Sequence, residues 1–246
     1  MSALLLRIIA CAAMLLDHIG YAFDIPSLRV VGRIAFPIFV YLIYNGYRHT
    51  KSPGKYALRL GLFALISQLP FALLCHYDHW LQKGNVFVTL LLALLCIWAA
   101  DVLAKRPATR WICWLPALAV CVAYHNAWLR SDYGAKGIIM AFVFWALDGK
   151  TVWKRALTCV LVLCAVYYAQ ILGVGLNLVR GNGMVFSLTS WEKTQVWSLL
   201  ALPLIFAYNG EKGKMPGGPV GAKLAQYGFY AFYPLHMLVL WLLEKI

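Results

Sequence analysis

The feature that most constrains this chain is a succession of apolar runs of bilayer-crossing length, each closed by charged or helix-breaking residues. A hydrocarbon core about 30 Å thick takes about 20 helical residues. Runs of that kind lie at 3–23, 28–47, 56–75, 85–104, 111–129, 136–148, 153–172, 195–208 and 224–243. Those at 136–148 and 195–208 are short, so either their ends extend into the loops or other helices shield them. In lipid, every backbone N–H and C=O must be satisfied within the segment, which selects helix over open strand. Apolar and aromatic residues make up 63% of the 246 and charged residues only 13%, too few to cover a soluble fold. The expectation is an all-α, polytopic transmembrane helix bundle of about nine spans, a single domain over 1–246.

The net charge is +13, from twenty-two Lys and Arg against nine Asp and Glu. In a soluble protein that surplus would point to nucleic acid. Here the cations sit in short loops, where they read first as topology and second as a surface for an anionic ligand. One set of loops carries Arg48, Lys51, Lys55, Arg59, Lys105, Arg106, Arg110, Lys150, Lys154, Arg155, Lys212, Lys214 and Lys223; the other carries Arg29, Lys83, Arg130, Lys136, Arg180, Lys193 and Lys245. By the positive-inside rule, thirteen against seven puts the N-terminus inside and the C-terminus outside. Asp17 and His18 interrupt the first run and no small-residue cleavage site follows, so it reads as a retained helix and not a signal peptide.

Ionisable residues inside spans are costly and mark function by default. The first span holds Arg7, Asp17 and His18, the second Arg33 and the last His236. Arg7 and His18 are eleven positions apart, which is three helical turns with about 20° left over, so they share a face about 16 Å apart in depth. Counted from the outer ends of their spans, His18, Arg33 and His236 lie at one depth, about 8–10 Å below the outer boundary, with Asp17 beside them. A carboxylate next to an imidazole tunes a base near neutral pH. The structural reading pairs Asp17 with Arg33 as a buried ion pair, and bonds His236 to a carbonyl freed by Pro234.

Elsewhere the residues carry less chemistry. His76, Asp78 and His79, with His125 from the next outer loop, offer isolated metal-ligand types without a convincing ligand set, so no metal is expected. The seven cysteines form no CxxC pair and read as small buried hydrophobes. Tyr77, Trp80, Trp111 and Trp128 suit interfacial anchors. The Gly-rich connections 173–194 and 209–223 read as flexible membrane loops; beside its lysines, the second also suits a phosphate cradle. No hydrolase, Walker-type or dinucleotide fingerprint is present.

Three stretches carry a resemblance: Met14 to Gly20 around Asp17-His18, Gly32 to Phe39 around Arg33 and Pro37, and Gln226 to His236 with Tyr233-Pro234. In this order they resemble the TraX family, named for the protein that acetylates the N-terminus of conjugative pilin. The Arg7–His18 spacing is also similar to that of the broader transmembrane acyltransferases that modify envelope sugars. The resemblance implies acyl transfer, with acetyl the expected group, from cytoplasmic acyl-CoA to an extracytoplasmic amine or hydroxyl. It makes His18 the catalytic histidine and Arg7 the basic position, and includes Asp17, Arg33 and His236 in its motifs. On this reading Lys212 and Lys214 meet the phosphates of the donor. Asp17 orients His18, and Arg33 or Tyr233 stabilises the oxyanion. The implied partners are membrane lipid, acyl-CoA and a pilin N-terminus or envelope glycan, with no nucleic acid. The implied location is the bacterial cytoplasmic (inner) membrane. Two rival classes use the same residues: a proton-coupled transporter or anion carrier, and a structural assembly subunit whose buried charges set helix packing.

Overall fold

The computed structural model describes residues 1–149, 151, 154, 157, 195–213 and 218–246. The expected span at 153–172, the connection 173–194 and Lys214 lie outside the described residues, apart from isolated positions. The helices are α1 (Ala3–Ala22), α2 (Pro26–Gly32), α3 (Ala35–His49), α4 (Pro53–Leu74), α5 (Val86–Ala104), α6 (Leu115–His125), α7 (Gly134–Ala146), α8 (Ala201–Phe206) and α9 (Gly218–Leu243). Two 3-10 turns, Arg110–Ile112 and Val196–Leu200, precede α6 and α8. Among the described residues the protein is all-α, with one isolated bridge between Gly84 and Ser131.

Among the described residues, four helical runs are long and apolar enough to cross a bilayer: Ala3–Ala22, Pro26–His49, Pro53–Leu74 and Val86–Ala104. Gly134–Ala146 and Trp197–Phe206 are apolar but shorter. The second long run is two helices meeting at Arg33 and Ile34. Pro37 lies four residues beyond Arg33; it has no N–H for the Arg33 carbonyl, and its ring crowds that carbonyl. The helix therefore breaks where its buried cation sits.

α1 packs on α2, α3 and α9; α4 packs on α9 and α5; α5 packs on α7, α6 and α3. The core is filled by Leu6, Ile38, Leu60, Leu94, Ile97, Ile138 and Met237, all fully buried. Ala10, Ala93 and Ala100, also buried, let backbones approach as small residues do between membrane helices. The opposite face of α4 exposes Leu58, Leu62, Leu65, Ile66 and Leu69, an unbroken apolar stripe suited to lipid tails.

Polar knots close the ends of the bundle. Asn85 caps α5 by accepting from Phe87 N–H at 3.0 Å, and its Nδ2 donates to Ala64 O at 2.7 Å and Gln68 Oε1 at 2.9 Å. Gln68 in turn donates to the carbonyls of Trp80 and Lys83 at 2.6 and 2.8 Å, so α4 holds the loop that follows it. That loop is tied to the next by Lys83 Nζ on Asp132 Oδ1 at 3.0 Å. Burial pulls the Lys83 ammonium towards losing its proton, yet Asp132 holds its pKa above the ordinary lysine value. At the other end, Glu211 and Lys212 carbonyls accept the N–H groups of Ala3 and Leu4 at 2.8 and 3.1 Å. These are orphan donors of the first turn, and satisfying them draws Lys212 against α1.

The α1–α2 hairpin closes most tightly at Gly32. A Cβ there would fall on Asp17 Cβ and stand 2.8 Å from Asp17 Cγ. Gly32→Val should therefore destabilise the bundle by about 1–3 kcal/mol, the usual cost of overpacking. Gly61→Ala is the matched control, because its added Cβ meets only Leu91 Cδ2 at 3.8 Å. Thermal melts in one detergent should show a lowered midpoint for the first and a wild-type midpoint for the second.

Candidate functional site: a histidine pair beside a cationic cavity

Two buried clusters form where α1, α2 and α9 converge. In the first, Arg33 Nη2 donates to Asp17 Oδ1, while Arg33 Nε donates to the Arg29 carbonyl at 3.1 Å. Arg29 adds a second cation 3.8 Å from the same carboxylate and stacks over Tyr21 at 5.1 Å. Arg33 is only 3% exposed, so its charge is met by protein and not by water. Asp132 lies within electrostatic reach of Asp17, His18 and Arg33.

In the second cluster, His18 Nδ1 and His236 Nε2 are 2.6 Å apart, and His236 Nδ1 is 2.7 Å from the Phe232 carbonyl. A carbonyl oxygen can only accept, so His236 Nδ1 carries the proton and donates it. The neutral ring then presents a bare Nε2, which accepts from His18 Nδ1–H. His18 in turn is left with its own Nε2 unprotonated. The hydrogen positions follow from the single obligatory acceptor at the end of the chain. The arrangement produces a base with a defined reactive atom, His18 Nε2, steadied by a second imidazole. Tyr233 closes the group, its ring centroid 6.1 Å from that of His18 and 5.9 Å from that of His236.

The structure thus brings together His18, His236 and Tyr233, and separately Asp17 and Arg33. Asp17 pairs with arginine instead of orienting His18; that position is taken by His236. The carbonyl that holds His236 belongs to Phe232, whereas Pro234 frees that of Tyr230, four residues before it.

On the other side of Tyr233 lies a cavity of about 390 Å³ between α1, α3, α4, α5 and α9. Arg7, Cys11 and Met14 line it along one face of α1. His18 is the next residue on that 3.6-residue stripe. Its far end holds Arg7, Arg59, His49, Thr50 and Lys212; its near end is closed by Phe87 and Tyr233. Arg7 and Lys212, the expected donor-binding residues, therefore share one cavity. Its apolar length with a cationic end fits an anionic head on a slender arm. Among the described residues no group of three His, Cys, Asp or Glu side chains converges to hold a metal, and His76 lies 3.5 Å from Glu244 instead. The reading of the residues missed the tie between Gln68 and Asn85, and took Arg59 only as a topology charge. Asn85 alone carried a signal, as an N-cap type directly before an apolar run.

Fold and site define a helical membrane protein in which ionisable groups from three helices converge beside a cavity with a cationic end. The chain matches the TraX protein family over residues 2–244 and belongs to it. A probable fimbrial assembly protein, FimC, from Dichelobacter nodosus is 28% identical over 255 aligned residues, which cover 97% of this chain and 94% of that protein. No solved structure matches.

If Asp17 and Arg33 form one buried pair, removing either leaves an uncompensated charge at a cost of about 3–5 kcal/mol. Asp17→Ala and Arg33→Ala should each lower stability by that order, and the double variant should lose clearly less than the sum. Denaturation of the four proteins in one detergent measures the coupling; strictly additive losses would refute it.

Proposed function

We propose that the protein is a membrane-embedded acyltransferase that moves an acyl group, acetyl in the simplest case, from cytoplasmic acyl-CoA to an extracytoplasmic amine or hydroxyl. The observation that carries this reading is the His18–His236–Phe232 hydrogen-bond chain, which ends in a bare imidazole nitrogen behind Tyr233, the residue that closes the near end of a cavity with a cationic mouth. In the reaction, the acceptor nitrogen or oxygen attacks the thioester carbonyl as His18 Nε2 takes its proton. The C–S bond then breaks, and the proton returns to the departing thiolate to give the free thiol. His236 Nε2 steadies the imidazolium by accepting a hydrogen bond from His18 Nδ1–H, the orienting position a carboxylate holds in other triads. Arg33 is committed to Asp17, which leaves Tyr233 as the side chain beside the His pair able to meet the oxyanion. The relative's description as a fimbrial assembly protein and the TraX family's association with pilin favour a pilin N-terminus as acceptor over an envelope glycan.

A proton-coupled carrier built on the same residues would move an ion without breaking a thioester, so turnover separates the two. His18→Ala should lower transfer by about 100-fold or more, the range of a lost general base. It should leave the folded fraction and donor binding intact. His236→Ala should cut turnover too, because the His18 tautomer is no longer fixed. Activity should fall as pH drops and the bare nitrogen takes a proton. Turnover against pH for each variant, with folded fraction from size-exclusion profiles, is the measurement. Full activity of folded His18→Ala would exclude this base.

The same proposal includes nine spans in the cytoplasmic membrane with the N-terminus inside, which sets the cationic mouth towards the cytoplasm. Single cysteines at 106 and 83 in a cysteine-depleted chain test it. Impermeant reagent added outside should label position 83 and spare 106; labelling of 106 would reverse the orientation.

A further inference from the structure

Among the described residues the cavity lining contains Arg7, Arg59 and Lys212 and not one carboxylate. None of the three is in an ion pair with a described Asp or Glu. Lys212 is exposed and solvated, but the two arginines are half-buried within apolar helices. Arg59 is the more telling. It sits in the seventh position of α4, roughly 9 Å along the helix. Its guanidinium stands over the Tyr56 ring at 5.6 Å, and its buried Nε has no hydrogen-bond partner. A guanidinium that meets the Tyr230 hydroxyl and the Tyr56 ring but no described acid, with its Nε unspent, is a charge left for something that is not the protein.

The rest of the lining says what kind of group that is. Between the arginines and Tyr233, the walls are Leu42, Ile43, Leu60 and Leu90. The ligand therefore has an anionic head of more than one charge and a narrow, largely apolar arm. Planar guanidinium forks suit phosphate oxygens bidentately, and two forks at one cavity end suit a diphosphate or phosphodiester.

We propose that Arg59, together with Arg7, is the phosphate clamp of this cavity, with Tyr56 as the plate that holds the Arg59 guanidinium in place. The inference deepens the donor half of the acyltransferase reading and rests on it only for the identity of the ligand. The shared chemistry is a phosphate-bearing amphiphile. Its source is either a coenzyme A thioester or an anionic lipid headgroup.

Binding to the full-length protein in phosphatidylcholine nanodiscs decides the matter, read by titration calorimetry and by the melting temperature. Coenzyme A should bind and raise the melting temperature, more strongly at low salt. Pantetheine, which keeps the arm and lacks the phosphates, should bind at least about tenfold more weakly, the size of one lost charge-assisted contact. Arg59→Gln should lose about tenfold in coenzyme A affinity on the same scale, while His18→Ala keeps it. Arg59→Lys guards against a folding effect: it retains the charge, should melt like wild type, and should still lose affinity for want of the fork. A second arm adds phosphatidylglycerol to the nanodiscs. If that lipid stabilises wild type through Arg59 and coenzyme A does not bind, the phosphate clamp stands and the acyl-CoA donor falls. Wild-type affinity in Arg59→Gln, or no response of wild type to either phosphate source, overturns the clamp.

Discussion

The contact on which the rest of this structure depends is the ion pair between Asp17 and Arg33. Neither charge is stable alone in an apolar interior, and each makes the other tolerable. Gly32 is bare so that α2 can lie against Asp17, and Pro37 interrupts the helical hydrogen bonding of the second span at Arg33, whose backbone stays in the right-handed helical region. The pairing sets the rotation of α1 against α2. With Asp17 turned to that side, His18 is turned to α9, where His236 waits. The electrostatic cluster is thus the framework, and the imidazole pair is what it presents.

From there the molecule reads as a polarised line. A backbone carbonyl on α9 orders His236, His236 orders His18, and His18 shares its helix face with Met14, Cys11 and Arg7 along the cavity. The histidine end is hydrogen-bonded and the opposite end of the cavity is cationic. One helix therefore carries both the histidine with the bare nitrogen and a basic side chain at the cavity's far end, about 16 Å apart.

Much of this was legible in the residues, and the failures have physical reasons. The first, third and fourth expected spans fall within a few residues of α1, α4 and α5, because length and apolarity alone define a crossing. The convergence of His18, Arg33 and His236 at one depth follows from helix rise and needs no tertiary knowledge. The partner of Asp17 was harder. Adjacent helical residues point about 100° apart, so Asp17 and His18, neighbours in the sequence, face different helices. Adjacency invited a carboxylate–imidazole pair that helical geometry disfavours. The role of Arg59 was hidden because a loop-proximal arginine counts equally well as a topology charge. Gln68 and Asn85 are seventeen residues apart, and nothing local announces that one ties down the other.

The aromatic layer at the closed end of the cavity has a bearing on the membrane as a whole. Phe63, Phe87, Tyr230 and Tyr233, from three helices, stack or meet edge-on at 5.0 to 6.1 Å and divide the cavity from the histidines. Two hydrogen-bonded imidazoles with water on both sides would be a wire for protons, and a bilayer that stores energy as a proton gradient would be drained through it. With packed aromatics between the imidazoles and the cavity, such a wire would be interrupted on that side. A layer of that kind would let titratable groups sit deep in a bilayer without short-circuiting it.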